Sequence, residues 1–187
     1  MKLEKVIVDA DLCIKIGTSP KYLYLEKLML ALAKKVFIHK TVYNEIITPR
    51  CAKEQIDRLI RSGVMELLDE NRLSPIERTI YNATFESLAE VMINPRKPNK
   101  NRGEVSSIAI AKTLSIPFFA TDEKELQPII DNKLNNGIDN IQCIRIKDII
   151  IKMSNGEIEG FSRKEAKVLW RISGKSTDEF DTKLWKI

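Results

Sequence analysis

Apolar and polar positions follow two different periods along this chain, and the change between them marks strands and helices. Five short, mainly apolar runs occur at 6–8, 36–39, 64–68, 116–121 and 141–146. Runs without polar alternation are typical of strands that are covered on both faces, as in a parallel sheet. Between these runs, apolar residues recur at intervals of three and four, which predicts helices at 20–33, 41–49, 52–62, 75–92, 103–112 and 124–134.

Short polar motifs mark where several helices begin. Ser74 and Glu77, with a proline between them, form a capping box that predicts the start of a long helix. Ser162 and Glu165 repeat the capping box near the end of the chain. The serine–proline pair at 19–20 predicts a further helix start by the same reasoning.

The alternation of strands and helices predicts an α/β fold, with three layers (α/β/α) around a central, mainly parallel sheet. We assign this domain to residues 1–146 and expect one hydrophobic core region, because 187 residues suffice for a single domain. The sequence pattern of residues 147–187 predicts two or three short helices. Trp170 and Trp185 are expected to pack back onto the body, so this C-terminal helical extension should belong to the same domain.

Four carboxylates occupy the positions where a parallel sheet gathers its ligands. Asp9 and Asp122 follow predicted strands, and Glu45 and Glu104 are expected in the first turns of predicted helices. In a parallel sheet with right-handed crossovers, the carboxyl ends of strands and the starts of the next helices share one edge. We therefore expect all four carboxylates to face one cleft as the catalytic, metal-binding group.

Neighbouring residues extend this group. Asp11 and Glu123 are each expected to act either as a further metal ligand or only as a local turn or surface residue, and Thr121 is expected to hold a ligand in place by a hydrogen bond. Clustered carboxylates repel each other unless hard cations neutralise them, and oxygen ligands favour Mg²⁺ or Mn²⁺ over zinc. By the same reasoning, replacing Asp122 with asparagine should stabilise the metal-free protein.

Four basic residues lie just before Glu104 in a stretch that contains two prolines and no acidic residue: Arg96, Lys97, Lys100 and Arg102. The prolines predict a loop. An acidic cleft repels a nucleic acid, so cations beside it are expected to bind the phosphate backbone. A plain solvated loop is the alternative.

Composition narrows the class of protein. The net charge of +5 and pI of about 9.0 are compatible with a polyanionic partner. Three separate cysteines, without a Cys-x-x-Cys pair, predict reduced thiols and a cytoplasmic protein, and no apolar run is long enough to cross a membrane. A two-histidine acid–base ribonuclease is excluded, because His39 is the only histidine.

The ordered motifs resemble those of the PIN-domain nucleases over about residues 4–146. The resemblance rests on Ile-Val-Asp-Ala-Asp at 7–11, Glu45, Gly103 and Glu104 before an apolar helix, and Phe-Ala-Thr-Asp-Glu at 119–123. It implies that the metal ligands are Asp9, Glu45, Glu104 and Asp122. Many family members carry an aspartate where this chain has Glu123.

The resemblance also implies a function. PIN-domain nucleases include toxins of toxin–antitoxin pairs and RNA-processing enzymes, so it implies Mg²⁺- or Mn²⁺-dependent endoribonuclease activity that leaves a 5′-phosphate, and it admits an antitoxin-like protein as a partner. The sequence leaves a homodimer open. Two alternatives are a haloacid-dehalogenase-like phosphatase, which also begins with a strand and Asp-x-Asp, and a catalytically inactive PIN scaffold that binds RNA or protein.

Overall fold

Five parallel strands form the central sheet in a computed structural model that describes residues 2–185. The strands are β1 (Leu3–Val8), β2 (Ala33–His39), β3 (Met65–Leu68), β4 (Phe118–Ala120) and β5 (Gln142–Ile144). Their order across the sheet is β3-β2-β1-β4-β5, and every pair of neighbours is parallel. The predicted mainly parallel sheet is confirmed.

The strand order reverses beside β1, which makes the gap between β1 and β4 the switch point of the sheet. Val8 pairs with Ile38 on one side and with Ala120 on the other, and Ala120 pairs with Ile144. The ends of four strands are therefore level. In open α/β sheets, ligands bind at this edge next to the switch point.

Helices cover both faces of the sheet. They are α1 (Ala10–Ile16), α2 (Tyr24–Leu32), α3 (Lys40–Glu45), α4 (Arg50–Arg61), α5 (Pro75–Met92), α6 (Arg102–Thr113), α7 (Leu126–Lys133), α8 (Ile146–Ser154), α9 (Arg163–Ile172) and α10 (Thr177–Glu179), with a 3₁₀ turn at Glu70–Arg72 and a π-helical turn at Phe180–Leu184. None of them, within residues 2–185, has the length and apolar character that crossing a membrane requires.

Alternate residues of β1 face two separate cores. Val6 and Val8 pack with residues of α1 to α4, α8 and α9, whereas Ile7 packs with Phe119 and residues of α5, α6 and α7. This is the predicted three-layer α/β/α arrangement.

The C-terminal helices contribute to the first of these cores. Ile150 of α8, Leu169 and Trp170 of α9, and Phe180 are all at most 1% exposed and belong to the cluster that contains Val6. Residue 1 and residues 186 and 187, at the outer ends of the two predicted regions, lie outside the described part of the chain.

Helix starts marked by capping boxes are confirmed. Ser74 and Glu77 exchange hydrogen bonds at the start of α5, and Ser162 and Glu165 do so at the start of α9. The start predicted at 19–20 is wrong, because the Ser19 hydroxyl accepts the backbone N–H of Tyr22 at 3.2 Å and closes a turn before α2. A serine cap therefore marks a turn as readily as a helix.

Two further differences concern the edge of the sheet at which the carboxyl ends of the strands lie. The helix α1 follows β1 directly and was not predicted, because Asp9 was interpreted as a strand end and not also as the residue that caps a helix. The helix α3 ends at Glu45 and does not continue to Pro49, so Glu45 lies at the end of a short helix and not in the first turns of a long one.

Candidate functional site

Asp9 lies at the switch point and is held by its neighbours. Its backbone N–H donates to the carbonyl of Ala120 at 3.0 Å, which continues the sheet by one residue. The carboxylate oxygens accept the backbone N–H of Ala10 at 2.7 Å and the hydroxyl of Thr121 at 3.4 Å. Only 1% of Asp9 is exposed, so the carboxylate is fixed and almost dry.

The environment of Asp9 disfavours its charge. Burial first, and then the negative charges of Glu104, Asp11 and Glu45, raise the pKa of Asp9 to about 7, against the lowering effect of the Ala10 N–H. Mutual repulsion of this kind shows that the four carboxylates are close enough to interact. Asp11, Glu45 and Glu104 therefore lie near enough to Asp9 for their charges to act on it.

Glu104 faces the same cleft from the first turn of α6. Burial raises its pKa, and the charges of Glu123 and Asp11 act in the same direction, while the Glu104 backbone N–H and the charge of Lys100 lower it. Glu123 is thereby placed beside Glu104. Its backbone N–H donates to the Thr121 hydroxyl at 3.2 Å, so Thr121 connects Asp9 to the loop that carries Glu123.

Glu45 reaches the cleft from the end of α3 and rests on the start of α6. Partial burial of its carboxyl group, and then the charge of Glu104, raise the pKa of Glu45, and a hydrogen bond from the Gly103 backbone lowers it. A Cβ atom added to Gly103 would lie 2.6 Å from Oε2 of Glu45 and 2.9 Å from Oε1. Only glycine at 103 leaves room for the carboxylate in this position.

Asp122, the fourth predicted ligand, is paired with lysines. Its Oδ2 lies 2.8 Å from Nζ of Lys175 and 3.3 Å from Nζ of Lys15, and Lys15 also contacts Asp11 at 2.5 Å. Asp122 is therefore connected to the other carboxylates through Lys15, and its charge is already compensated. The sequence predicted that Asp122→Asn would stabilise the metal-free protein by relieving repulsion. In the structure, this substitution would instead weaken the ion pairs with Lys15 and Lys175.

Sequence reasoning missed both lysines. Lys15 lies four residues after Asp11 on a helix, a spacing that favours an ion pair and that would have identified it once α1 was recognised. Lys175 lies in the C-terminal extension and carries no local signal.

The donor set fits a hard divalent cation. Asp9, Asp11, Glu45, Glu104 and Glu123 supply oxygen atoms only, which suits Mg²⁺ or Mn²⁺. Burial first, and the charges of neighbouring carboxylates after it, raise the pKa values of Asp9, Glu45 and Glu104, and a bound cation would offset both effects. Among residues 2–185, no three acidic, histidine or cysteine side chains are already arranged around a common point that could hold a metal ion.

The predicted basic residues differ in their relation to the cleft. Arg96 and Lys97 are exposed in the loop between α5 and α6. Lys100 is close enough to Glu104 to lower the pKa of the glutamate. Arg102, at the start of α6, instead places its guanidinium 5.8 Å from the ring centre of Phe85 in α5. Lys100 is thus the one of the four that the structure connects electrostatically with the carboxylates.

A cavity of about 260 Å³ opens beside Glu104 and Glu123. Lys100 and Asn101 line one part of it, and apolar side chains that include Met92, Leu126 and Ile129 line another. The cavity therefore offers an apolar wall, polar groups and a cation next to the carboxylates.

Comparisons with protein-family models, with curated proteins and with solved structures found no significant match to this chain.

Proposed function

We propose that this protein is a Mg²⁺- or Mn²⁺-dependent endoribonuclease of the PIN type that hydrolyses phosphodiester bonds in single-stranded RNA. The observation that carries the proposal is the group of mutually repelling carboxylates around Asp9 at the switch point of the sheet. A pKa raised by burial and like charges is characteristic of functional sites. A divalent cation held there would activate water and stabilise charge on the phosphate.

The protein's own residues support RNA as the substrate. Lys100 brings a positive charge to the cleft next to Glu104, and Arg96 and Lys97 extend it along an exposed loop. These charges offset the repulsion between the carboxylates and a phosphate backbone. The cavity beside Glu104 has apolar walls that suit the face of a nucleobase.

Cleavage of a labelled single-stranded RNA with Mn²⁺, Mg²⁺ or chelator tests the proposal. We expect cleavage only with a divalent metal. Asp9→Asn and Glu104→Gln should each lower its rate by at least about tenfold to a hundredfold, the range for residues that support a metal site. Glu86→Gln is the matched control. Glu86 is exposed on α5, so this substitution removes the same charge at a place away from the cleft.

Other outcomes have definite meanings. Cleavage by the wild-type protein in chelator would refute metal dependence. Hydrolysis of a small phosphomonoester without RNA cleavage would support the phosphatase, and RNA binding without cleavage under any metal would support the inactive scaffold. We extend the proposal to a toxin with an antitoxin-like partner, for which co-purification of a small protein encoded by an adjacent gene is the test.

A further inference from the structure

The chain after α9 returns to the edge of the sheet where the carboxyl ends of the strands lie, and it places Lys175 there. Gly174, with a φ of +77°, turns the backbone at the end of α9, and the indole N–H of the buried Trp170 donates to the carbonyl of Ser176 at 2.6 Å. Lys175 lies between these two points, with its Nζ 5.8 Å from the centre of the Trp170 ring and 2.8 Å from Asp122. The extension thus contributes an ordered cation to the sheet edge.

A cavity of about 210 Å³ lies where this turn meets the ends of β4 and β5. Its walls carry four basic residues, Lys124, Arg145, Lys147 and Lys175, and three acidic ones, Asp122, Asp148 and Glu179. The volume is below the roughly 300–1,000 Å³ of pockets that hold drug-sized ligands. It suits one small polar group, and the four basic residues outnumber the three acidic ones, which favours an anionic group.

Two of the four basic side chains, Lys124 and Arg145, form no ion pair within residues 2–185. Lys147 is 3.9 Å from Glu179, at the outer limit of an ion pair, and Asp148 is engaged by the backbone N–H of Arg145 at 2.9 Å. The side chains of Lys124 and Arg145 have no carboxylate oxygen within 4.0 Å in the described part of the chain. Their charges are available to a ligand.

The position of the cavity indicates the ligand. Asp122 separates it from the carboxylates around Asp9, so a group bound here would lie next to whatever occupies the main cleft. The cavity also adjoins the first turn of α8, where the helix dipole favours negative charge.

We propose that this cavity is a phosphate-binding subsite, built jointly by the sheet edge and the C-terminal extension, which holds a phosphate group of the RNA beside the carboxylate cleft. The assignment of the phosphate to RNA rests on the function proposed above. The phosphate is either an internal diester of the chain or a terminal 5′-monophosphate.

Binding in chelator tests the subsite without cleavage. We compare the wild type with Lys124→Gln/Lys175→Gln by fluorescence anisotropy, using a short single-stranded RNA over a range of salt concentrations. The double variant should bind more weakly, and its salt dependence should be shallower by about 0.7 per lost phosphate contact. Lys164→Gln is the matched control, because Lys164 is exposed in the same extension and outside this cavity.

Because Lys175 is paired with Asp122, thermal melts must show that the double variant is folded. Lys124→Gln alone provides a second test, since Lys124 is exposed and forms no ion pair with any of residues 2–185. Affinity and salt dependence equal to those of the control in both variants would overturn the proposal.

Two RNAs that differ only at the 5′ end identify the source of the phosphate. If the subsite holds a terminal monophosphate, the 5′-phosphorylated RNA should bind the wild type several-fold more tightly than the 5′-hydroxyl RNA, and the double variant should lose this preference. If it holds an internal diester, both RNAs should lose affinity equally. Either result supports the subsite.

Inorganic phosphate separates failure of the subsite from failure of the proposed function. At constant ionic strength, it should shift the indole N–H resonance of Trp170 in the wild type and not in the double variant, and Trp185→Phe assigns the two indole signals. This shift without any RNA binding would refute the RNA function and retain a phosphate site. Absence of the shift together with unchanged RNA binding in the variants would refute the subsite.

Discussion

The Asp9 carboxyl group makes the metal-free protein sensitive to pH. Its pKa is about 7 in the folded chain against an ordinary value of 3.8, so between these values the folded state binds the proton that the unfolded state has released. Stability from this group is therefore greatest below pH 3.8 and is lost as the pH rises to about 7, by at most about 1.4 kcal/mol for each pH unit. In chelator at pH 8, we expect Asp9→Asn to be more stable than the wild type.

Comparing the wild type with Asp9→Asn separates the effect of the Asp9 carboxyl group from that of other titrating groups. Urea unfolding of the wild type and Asp9→Asn at several pH values should give a stability difference that grows between pH 4 and 7 and is then constant. Asp122→Asn is the matched charge removal. It should instead be less stable than the wild type by about 1–3 kcal/mol, because it weakens the pairs with Lys15 and Lys175. A pH-independent difference for Asp9→Asn would contradict the burial argument.

Individual site residues could be predicted from sequence where a strand end or a helix start fixes them. Asp9 and Glu104 follow such signals and lie at the shared edge, as does Thr121. The state of Asp122 could not be predicted. It depends on Lys175, which reaches it through a turn that has no sequence signal linking it to β4.

Two helix ends position Glu45, and this makes Gly103 a test of the site. In Gly103→Ala, the new methyl group would overlap the Glu45 carboxylate, which is the flexible end of its side chain and is expected to move. Alanine is favoured over glycine within a helix by up to about 1 kcal/mol. We therefore expect unchanged or slightly higher stability, together with weaker Mn²⁺ binding and slower RNA cleavage.

Calorimetric titration of Mn²⁺, cleavage rates and thermal melts measure the three quantities. Gly137→Ala is the control, because a Cβ atom at 137 meets nothing within 4 Å. If Gly103→Ala binds Mn²⁺ and cleaves RNA like the control, the position of Glu45 against α6 does not matter for function.

At the scale of elements, sequence signals worked where they admit one geometry. The capping boxes of α5 and α9 tie a side chain to one specific backbone N–H, and both helices begin as predicted. A lone serine is less specific, as Ser19 shows by closing a turn. The helix α3 was predicted too long, because the stop was placed at Pro49 although the helix ends at Glu45.

At the scale of the whole molecule, the extension and the sheet share a core. Ile150, Leu169, Trp170 and Phe180 are buried in the same cluster as Val6. The sequence predicted that the extension packs on the domain, but the periodicity of short helices could not show which face they cover. Because apolar burial is shared, we expect the extension and the sheet to unfold together.

Both tryptophans, Trp170 and Trp185, lie in the extension, so their fluorescence reports on the extension and on its contacts with the shared core, whereas far-UV circular dichroism reports on all helices. In urea, both signals should change in one coincident transition. Ile150→Ala should shift both midpoints together and lower the free energy of unfolding by about 2–5 kcal/mol, as for a fully buried isoleucine. Ile138→Ala, at a side chain that is 87% exposed, should change it by less than about 0.5 kcal/mol.

A fluorescence transition that precedes the dichroism transition, and that alone responds to Ile150→Ala, would show that the extension unfolds independently. Such a result would also mean that Lys175 can leave Asp122 while the sheet remains folded.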